Sequence, residues 1–228
     1  MQHSRLALDV MIKRARKSAD AAQKRGPTFD IERQAIDAGH MPVAGIDEAG
    51  RGPWAGPVVA AAVILNAGAI PDGLDDSKAL NAAERERLYA ALLASEAHIG
   101  IGIADVRRID RMNILHATLW AMTLATERLP RAPKLALVDG NRLPALNCPA
   151  RAIVGGDATC MSIAAASIVA KVTRDRIMVE LSKQFPDYGF ERHKGYGTPE
   201  HAEALLRLGV SPHHRRSFRP IRLALGLA

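Results

Sequence analysis

Residues 57–65, PVVAAAVIL, form an unbroken apolar run rich in strand-forming residues. A short run with no polar face suits a strand covered on both sides, and so a sheet with helices on each face. From Met41 onward the chain supplies the parts for such a sheet. VAGID (43–47) reads as a strand, and HIGIGIADV (98–106) as one with apolar residues at every second position. KLALVDGN (134–141) reads as a buried strand ending at Asp139, and ARAIVGGD (150–157) as another ending at Asp157. Helices are expected between them. Asn81 caps one through about Ser95, with Leu88, Leu92 and Leu93 on its apolar side. A second runs from Asn113 to Leu129, and a long one from Ser162 to about Phe185. The fold class expected is α/β, a largely buried sheet flanked by helices.

The texture differs at both ends. Residues 1–40 are polar and basic. Leu6, Val10, Met11 and Ile12 could line a short amphipathic helix, ahead of a basic run of Arg14, Arg16, Lys17, Lys24 and Arg25. This segment reads as a partly disordered tail or short helix rather than a phosphate-attracting arm. After about Pro186, Gly, His, Pro and Arg are frequent, and short helices fit only near 199–208 and near the C-terminus. The organisation expected is a basic extension (1–40), an α/β domain (41–185) and a small helical region (186–228).

With 31 Lys and Arg against 24 Asp and Glu, the net charge is +7, which biases the chain toward anionic partners, nucleic acid first. Cys148 and Cys160 make neither a metal-ligand spacing nor a disulfide framework, and read as buried small hydrophobes in a reducing compartment. No stretch approaches the roughly 20 apolar residues of a membrane span, and the first twenty residues lack the apolar region of a signal peptide. A cytoplasmic protein is the simplest expectation.

Four acids lie where the expected strands end: Asp47 and Glu48 together, Asp139, and Asp157. Functional groups of open α/β sheets gather beyond the carboxyl ends of strands. Carboxylates gathered there repel one another unless protonated or bound to cations. With no His or Cys beside them the donor set is all oxygen, which suits Mg²⁺ or Mn²⁺. Two such ions clamp in-line displacement at phosphorus. Singly, Asp139 before Gly140 or Asp157 is more readily a turn former; the joint placement carries the inference. Gly50 and Gly52 let backbone N–H groups approach a ligand, and Arg51 can fork onto a phosphate.

DEAGRGP (47–53) is the signature of ribonuclease HII, the prokaryotic type 2 ribonuclease H, and the chain resembles that family well beyond it. LDDSKAL (74–80), RMNILHATLWAM (111–122), ALVDGN (136–141), GGDATCMSIAAASIVAKVTRD (155–175), YGFERHKGYGTPEH (188–201) and HHRRSFRPIR (213–222) follow in family order. The resemblance, over about residues 41–226, implies a ribonuclease H-like fold: a mixed central sheet flanked by helices, with a C-terminal region completing the substrate groove. It implies that Asp47, Glu48, Asp139 and Asp157 are the catalytic, metal-binding acids for two Mn²⁺ or Mg²⁺ ions. Gly50, Arg51 and Gly52 match the loop that grips the ribonucleotide, and Tyr196 the residue stacking on the sugar beyond the scissile phosphate. Lys78, Ser167 and Lys171 fall in motifs lining the groove. The implied activity is cleavage of RNA in RNA–DNA hybrids and incision 5′ to single ribonucleotides in duplex DNA. The products carry a 3′-OH and a 5′-phosphate, and the roles are ribonucleotide excision repair and primer removal, by a monomer.

The basic motif His213–Arg216 is expected along the duplex backbone, fixing register rather than sequence. Asp175 competes with Asp157 as fourth acid, but Lys171 four residues earlier explains it as an ion pair. Gly155 stands where many relatives have lysine. Ribonuclease HIII would keep the acids without the Gly-Arg-Gly loop. A silent nucleic-acid-binding module would not need all four acids. A small-molecule phosphohydrolase would need no basic C-terminal surface.

Overall fold

The structure, a computed structural model, describes residues 26–227. Five strands form one sheet in the order β3-β2-β1-β4-β5. Strands β1 (Val43–Ala49), β2 (Val58–Ile64) and β3 (His98–Ala104) pair antiparallel; β4 (Leu135–Asp139) and β5 (Ala150–Ile153) continue from β1 in parallel. The sheet is therefore mixed, as the family resemblance implies. Strand β2 is the apolar run, buried along all but its last residue.

Helix α1 (Asp30–Asp37) precedes the sheet, and α2 (Ala82–Ala94), α3 (Val106–Glu127) and α4 (Met161–Gln184) cover it. Side-chain alternation sends Ile46, Ala60 and Ala62 toward α3, and Ala61 and Val63 toward α4. Helix α4 approaches β1 so closely that a Cβ on Gly45 would lie 2.1 Å from the Ser162 backbone. Helix α3 does the same over β3, at Gly100 and Gly102.

Several boundaries are set by side chains. Asn81 closes a capping box with Glu84 at the start of α2. Leu88 and Leu92 are buried there, but Leu93 is exposed, because it lies about 100° further round the helix than Leu92. Helix α3 is broken at Asn113, whose φ of 63° is left-handed and whose side chain accepts the His116 N–H to restart it. The expected start at Asn113 is this second half.

Within the segment read as a basic tail, α1 packs Ile31, Ala35 and Ile36 on Val43, Leu137 and Ile163. Its buried Glu32 accepts the Ser162 N–H (2.6 Å) at the first turn of α4. The expected N-terminal amphipathic turn and basic run lie outside the described residues.

After α4 come a 3-10 turn (Pro186–Tyr188) and helices α5 (Phe190–His193), α6 (Pro199–Leu208) and α7 (Arg219–Ala224). This region packs Tyr188, Phe190 and Ala204 on Ala55 of the β1–β2 loop and Met178 of α4. It is tied to the β1–β2 loop through Trp54 N–H to Gly195 C=O, Gly56 N–H to His213 C=O, and Arg215 N–H to Trp54 C=O.

Candidate active site

The sheet brings its acids together by register. Strands β1 and β4 are parallel neighbours with Ile46 beside Val138, so Asp47 and Asp139, each the next residue, emerge side by side. Asp157 does not end β5: that strand stops at Ile153, and Asp157 sits in a 3-10 turn (Gly156–Ala158) that folds back over the sheet. The turn is held by the Gly156 N–H, which donates to Asp139 Oδ1 at 2.8 Å. Gly155, in the left-handed region at φ 67°, starts this turn, and glycine takes that conformation without strain.

One carboxylate oxygen each from Asp47, Asp139 and Asp157 lies within 4.8 Å of the others. Asp47 and Asp157 are buried and Asp139 is half-buried. Burial, with the negative charges of Glu48, Asp139 and Asp157, raises the Asp47 pKa well above the usual carboxylate range. Burial and Asp157 raise that of Asp139, against the Gly156 N–H and Lys78. Glu48 is also raised, mainly by burial, with Arg51 opposing. The cluster is thus a concentration of buried negative charge with all-oxygen donors, and its residues fit a hard divalent cation. Glu48 is not in the triad. Consecutive strand residues face opposite sides of the sheet, and its carboxylate meets Arg51 Nη1 at 3.4 Å.

Two cationic side chains reach these acids. Lys78, on the loop before α2, places Nζ 2.7 Å from Asp157 Oδ2. Arg51 is half-exposed beside Glu48. The loop Gly50–Gly52 continues from β1, with Gly50 at φ 94° against the Arg174 side chain. The ring of Tyr196, itself 44% exposed, stands beside it: a Cβ on Gly52 would lie 3.7 Å from Tyr196 Cε1.

Two sequence expectations change. Ser167 does not line a groove. It is buried in α4, where its hydroxyl donates to the Ala164 carbonyl and accepts the Ser77 N–H, so it supports the Lys78 loop from beneath. Lys171 is paired with Asp175 at 2.8 Å, which accounts for Asp175 and leaves Asp157 in the cluster. Lys171 opens onto a cleft of about 520 Å³ lined by Arg85, Arg176, Arg192 and Lys194, with Glu86, Asp175 and Glu180 among them. The motif His213–Arg216 does not lie along the surface as a whole: His214 is buried against Ser211 and His201, Arg215 is buried against the β1–β2 loop, and Arg216 is exposed. Among the described residues, no helix is long and apolar enough to cross a membrane.

Comparison with known proteins agrees with this geometry. The family model for ribonuclease HII matches residues 44–221. Ribonuclease HII of Parvibaculum lavamentivorans is 62% identical over 80% of this chain and 68% of that protein. Ribonuclease HII of Granulibacter bethesdensis is 54% identical over 92% of this chain and 97% of that one. Among solved structures, ribonuclease H2 from Pyrococcus horikoshii OT3 superposes with a TM-score of 0.66 at 28% identity, over 80% of this chain and 96% of that chain. A mixed sheet that sets three acids side by side, the Gly-Arg-Gly loop directly after β1, and these matches along most of the chain place it in the ribonuclease HII family, as a type 2 ribonuclease H enzyme.

Proposed function

We propose that this chain is an endoribonuclease that hydrolyses the RNA strand of RNA–DNA hybrids and incises 5′ to single ribonucleotides in duplex DNA, leaving a 3′-OH and a 5′-phosphate. The observation that carries this reading is the juxtaposition of the acid triad with the Gly50–Gly52 loop and Tyr196. One part of the site suits phosphodiester hydrolysis, and the adjoining part suits reading a sugar.

Asp47, Asp139 and Asp157 would hold two Mg²⁺ or Mn²⁺ ions, with Glu48 joining from the margin. Such ions supply Lewis-acid activation of water and neutralise charge at the scissile phosphate. The chain's other groups do the positioning. Gly50 and Gly52 let the backbone approach a ribose 2′-OH, the group that separates RNA from DNA at one nucleotide. Arg51 can fork onto a phosphate. Tyr196 offers an exposed ring face to the neighbouring sugar. Lys78 is a cation at the edge of the acids, suited to a phosphate oxygen, and Lys171, with the lysine and arginines around its cleft, suits the duplex backbone further along. The net charge of +7 draws the duplex in with an affinity that falls as salt rises. Action as a monomer in the cytoplasm, in ribonucleotide excision repair and primer removal, completes the proposal.

The test is Asp139→Asn with Mg²⁺ or Mn²⁺ on a hybrid substrate. Cleavage should be abolished while duplex binding, measured by fluorescence anisotropy, is retained. Cleavage at the wild-type rate would show that the triad is not the catalytic centre.

A further inference from the structure

Two adjacent buried residues of the C-terminal motif each hold one of the two proposed sugar-reading elements. Arg215 is fully buried, and its guanidinium meets carbonyl oxygens of the β1–β2 loop. Nη1 donates to Arg51 C=O at 2.9 Å, Nη2 to Gly50 C=O and to Pro57 C=O, and Nε to Gly56 C=O at 2.9 Å. Arg174 reinforces it through Pro57 C=O and Ala55 C=O. A trans peptide points its N–H opposite to its C=O. With the carbonyls of Gly50 and Arg51 turned inward onto Arg215, the N–H groups of Arg51 and Gly52 face away from it. Neither has a hydrogen-bond partner among the described residues. The loop therefore presents two free donors.

His214 does the corresponding work for Tyr196. Its Nδ1 accepts the Ser211 N–H at 3.0 Å, so in the neutral ring the proton is on Nε2. That proton is donated to His201 Nε2 at 3.0 Å. The His201 proton is then on Nδ1 and is donated to Tyr196 C=O at 2.9 Å. Every donor and acceptor in this buried chain is fixed by its neighbour, and it ends on the Tyr196 backbone. His193 fixes the preceding turn in the same way, accepting the Gly195 N–H on Nδ1.

We infer that His214 and Arg215 are positioning residues that set the spacing between the Gly50–Gly52 donors and the Tyr196 ring, and through it the discrimination of ribose from deoxyribose. The inference rests on the reading of these two elements as the sugar-recognising face. A residue that only stabilised the fold would weaken binding to every duplex alike. A positioning residue alters the preference for the duplex that carries a 2′-OH.

The test measures dissociation constants by anisotropy, with Ca²⁺ replacing Mg²⁺ to hold turnover, for an all-DNA duplex and for the same duplex with one ribonucleotide. The wild type should prefer the ribonucleotide duplex by about tenfold, the worth of one well-placed hydrogen bond. Arg215→Lys should lose most of this preference, with Mn²⁺ binding to the protein alone unchanged. His214→Gln and Ser211→Ala, milder changes to the second arm, should lose part of it. A folded Arg215→Lys protein with the full preference would overturn the inference. If Arg215→Lys does not fold, an unchanged preference in both His214→Gln and Ser211→Ala overturns it. Gly52→Val separates the two levels, because it sets a branched side chain between the loop and the Tyr196 ring. Should it too keep the preference, the reading of the loop as a sugar sensor fails. Should it lose it while the positioning variants keep it, only the present inference fails.

Discussion

At the scale of single residues, the site is defined by charges that the fold holds against their own repulsion. Asp47 is buried with Asp139, Asp157 and Glu48 around it, and all of these raise its pKa in addition to burial. Neutralising one negative charge should therefore stabilise the metal-free protein. Asp47→Asn is expected to melt about 2–4 °C higher in EDTA, the shift that about 1 kcal/mol gives in a chain of this length. Added Mn²⁺ should raise the wild type more than the variant, since only binding to the folded state stabilises. A variant that melts lower than the wild type in EDTA would contradict the electrostatic picture. Most of this was legible in the sequence, because two adjacent acids at the end of an apolar strand, Asp47 and Glu48, have no structural reason to be there without a partner. The separation of Glu48 from the triad follows from strand alternation, which a pair of adjacent acids conceals. The roles of Arg174, His214 and Arg215 were not legible. Their partners are carbonyl and ring groups up to 165 residues away, which leave no local pattern.

At the scale of elements, what positions the acids is the close seating of α4 on β1. Gly45 lies two residues before Asp47, and a methyl group there would collide with the backbone of Ser162 and Ile163. Backbone cannot swing aside as a side chain can. Gly45→Ala should cost about 3 kcal/mol, read from urea unfolding, and should also lower activity by shifting β1 relative to β4. A cost under about 0.5 kcal/mol, the range of ordinary surface changes, would show that the helix has room to yield. The elements themselves were readable where periodicity or capping was clean, as for β2, the Asn81-capped α2 and α6. Two features escaped. The turn carrying Asp157 looked like a strand continuation because Val154, though apolar, is 80% exposed and belongs to no strand. Helix α1 lay hidden in a polar segment, since its apolar residues only make sense against β1, β4 and α4.

At the scale of the whole molecule, the C-terminal region is bound to the sheet domain through the buried Arg215, backbone hydrogen bonds to the β1–β2 loop and an apolar cluster with Met178 and Leu181 of α4, while buried histidines tie its own turns together. Burial, with His201 adding to it, lowers the His214 pKa from its ordinary 6.5 to about 4, and burial lowers His201 as well. The unfolded chain therefore binds more protons than the folded one between these values. The His214 contribution should be level above about pH 6.5 and fall, by on the order of 3 kcal/mol, as pH drops toward 4, opposed by the raised carboxyls of the acid cluster, which gain stability as pH drops. Urea midpoints between pH 4 and 8 check this, and His214→Gln should flatten the acid limb; an equally steep limb in the variant would place the loss elsewhere. This same connection sets the Gly-Arg-Gly loop and Tyr196 beside the acid triad, and on that juxtaposition the functional account stands. The most direct test is to map the products from a DNA duplex holding one ribonucleotide, with a full hybrid and an all-DNA duplex in parallel, in Mg²⁺ and in Mn²⁺. The account predicts a single incision on the 5′ side of the ribonucleotide with a 3′-OH end, cleavage of the hybrid, and no cleavage of DNA alone. Cleavage of the hybrid with the single-ribonucleotide duplex left intact would contradict it.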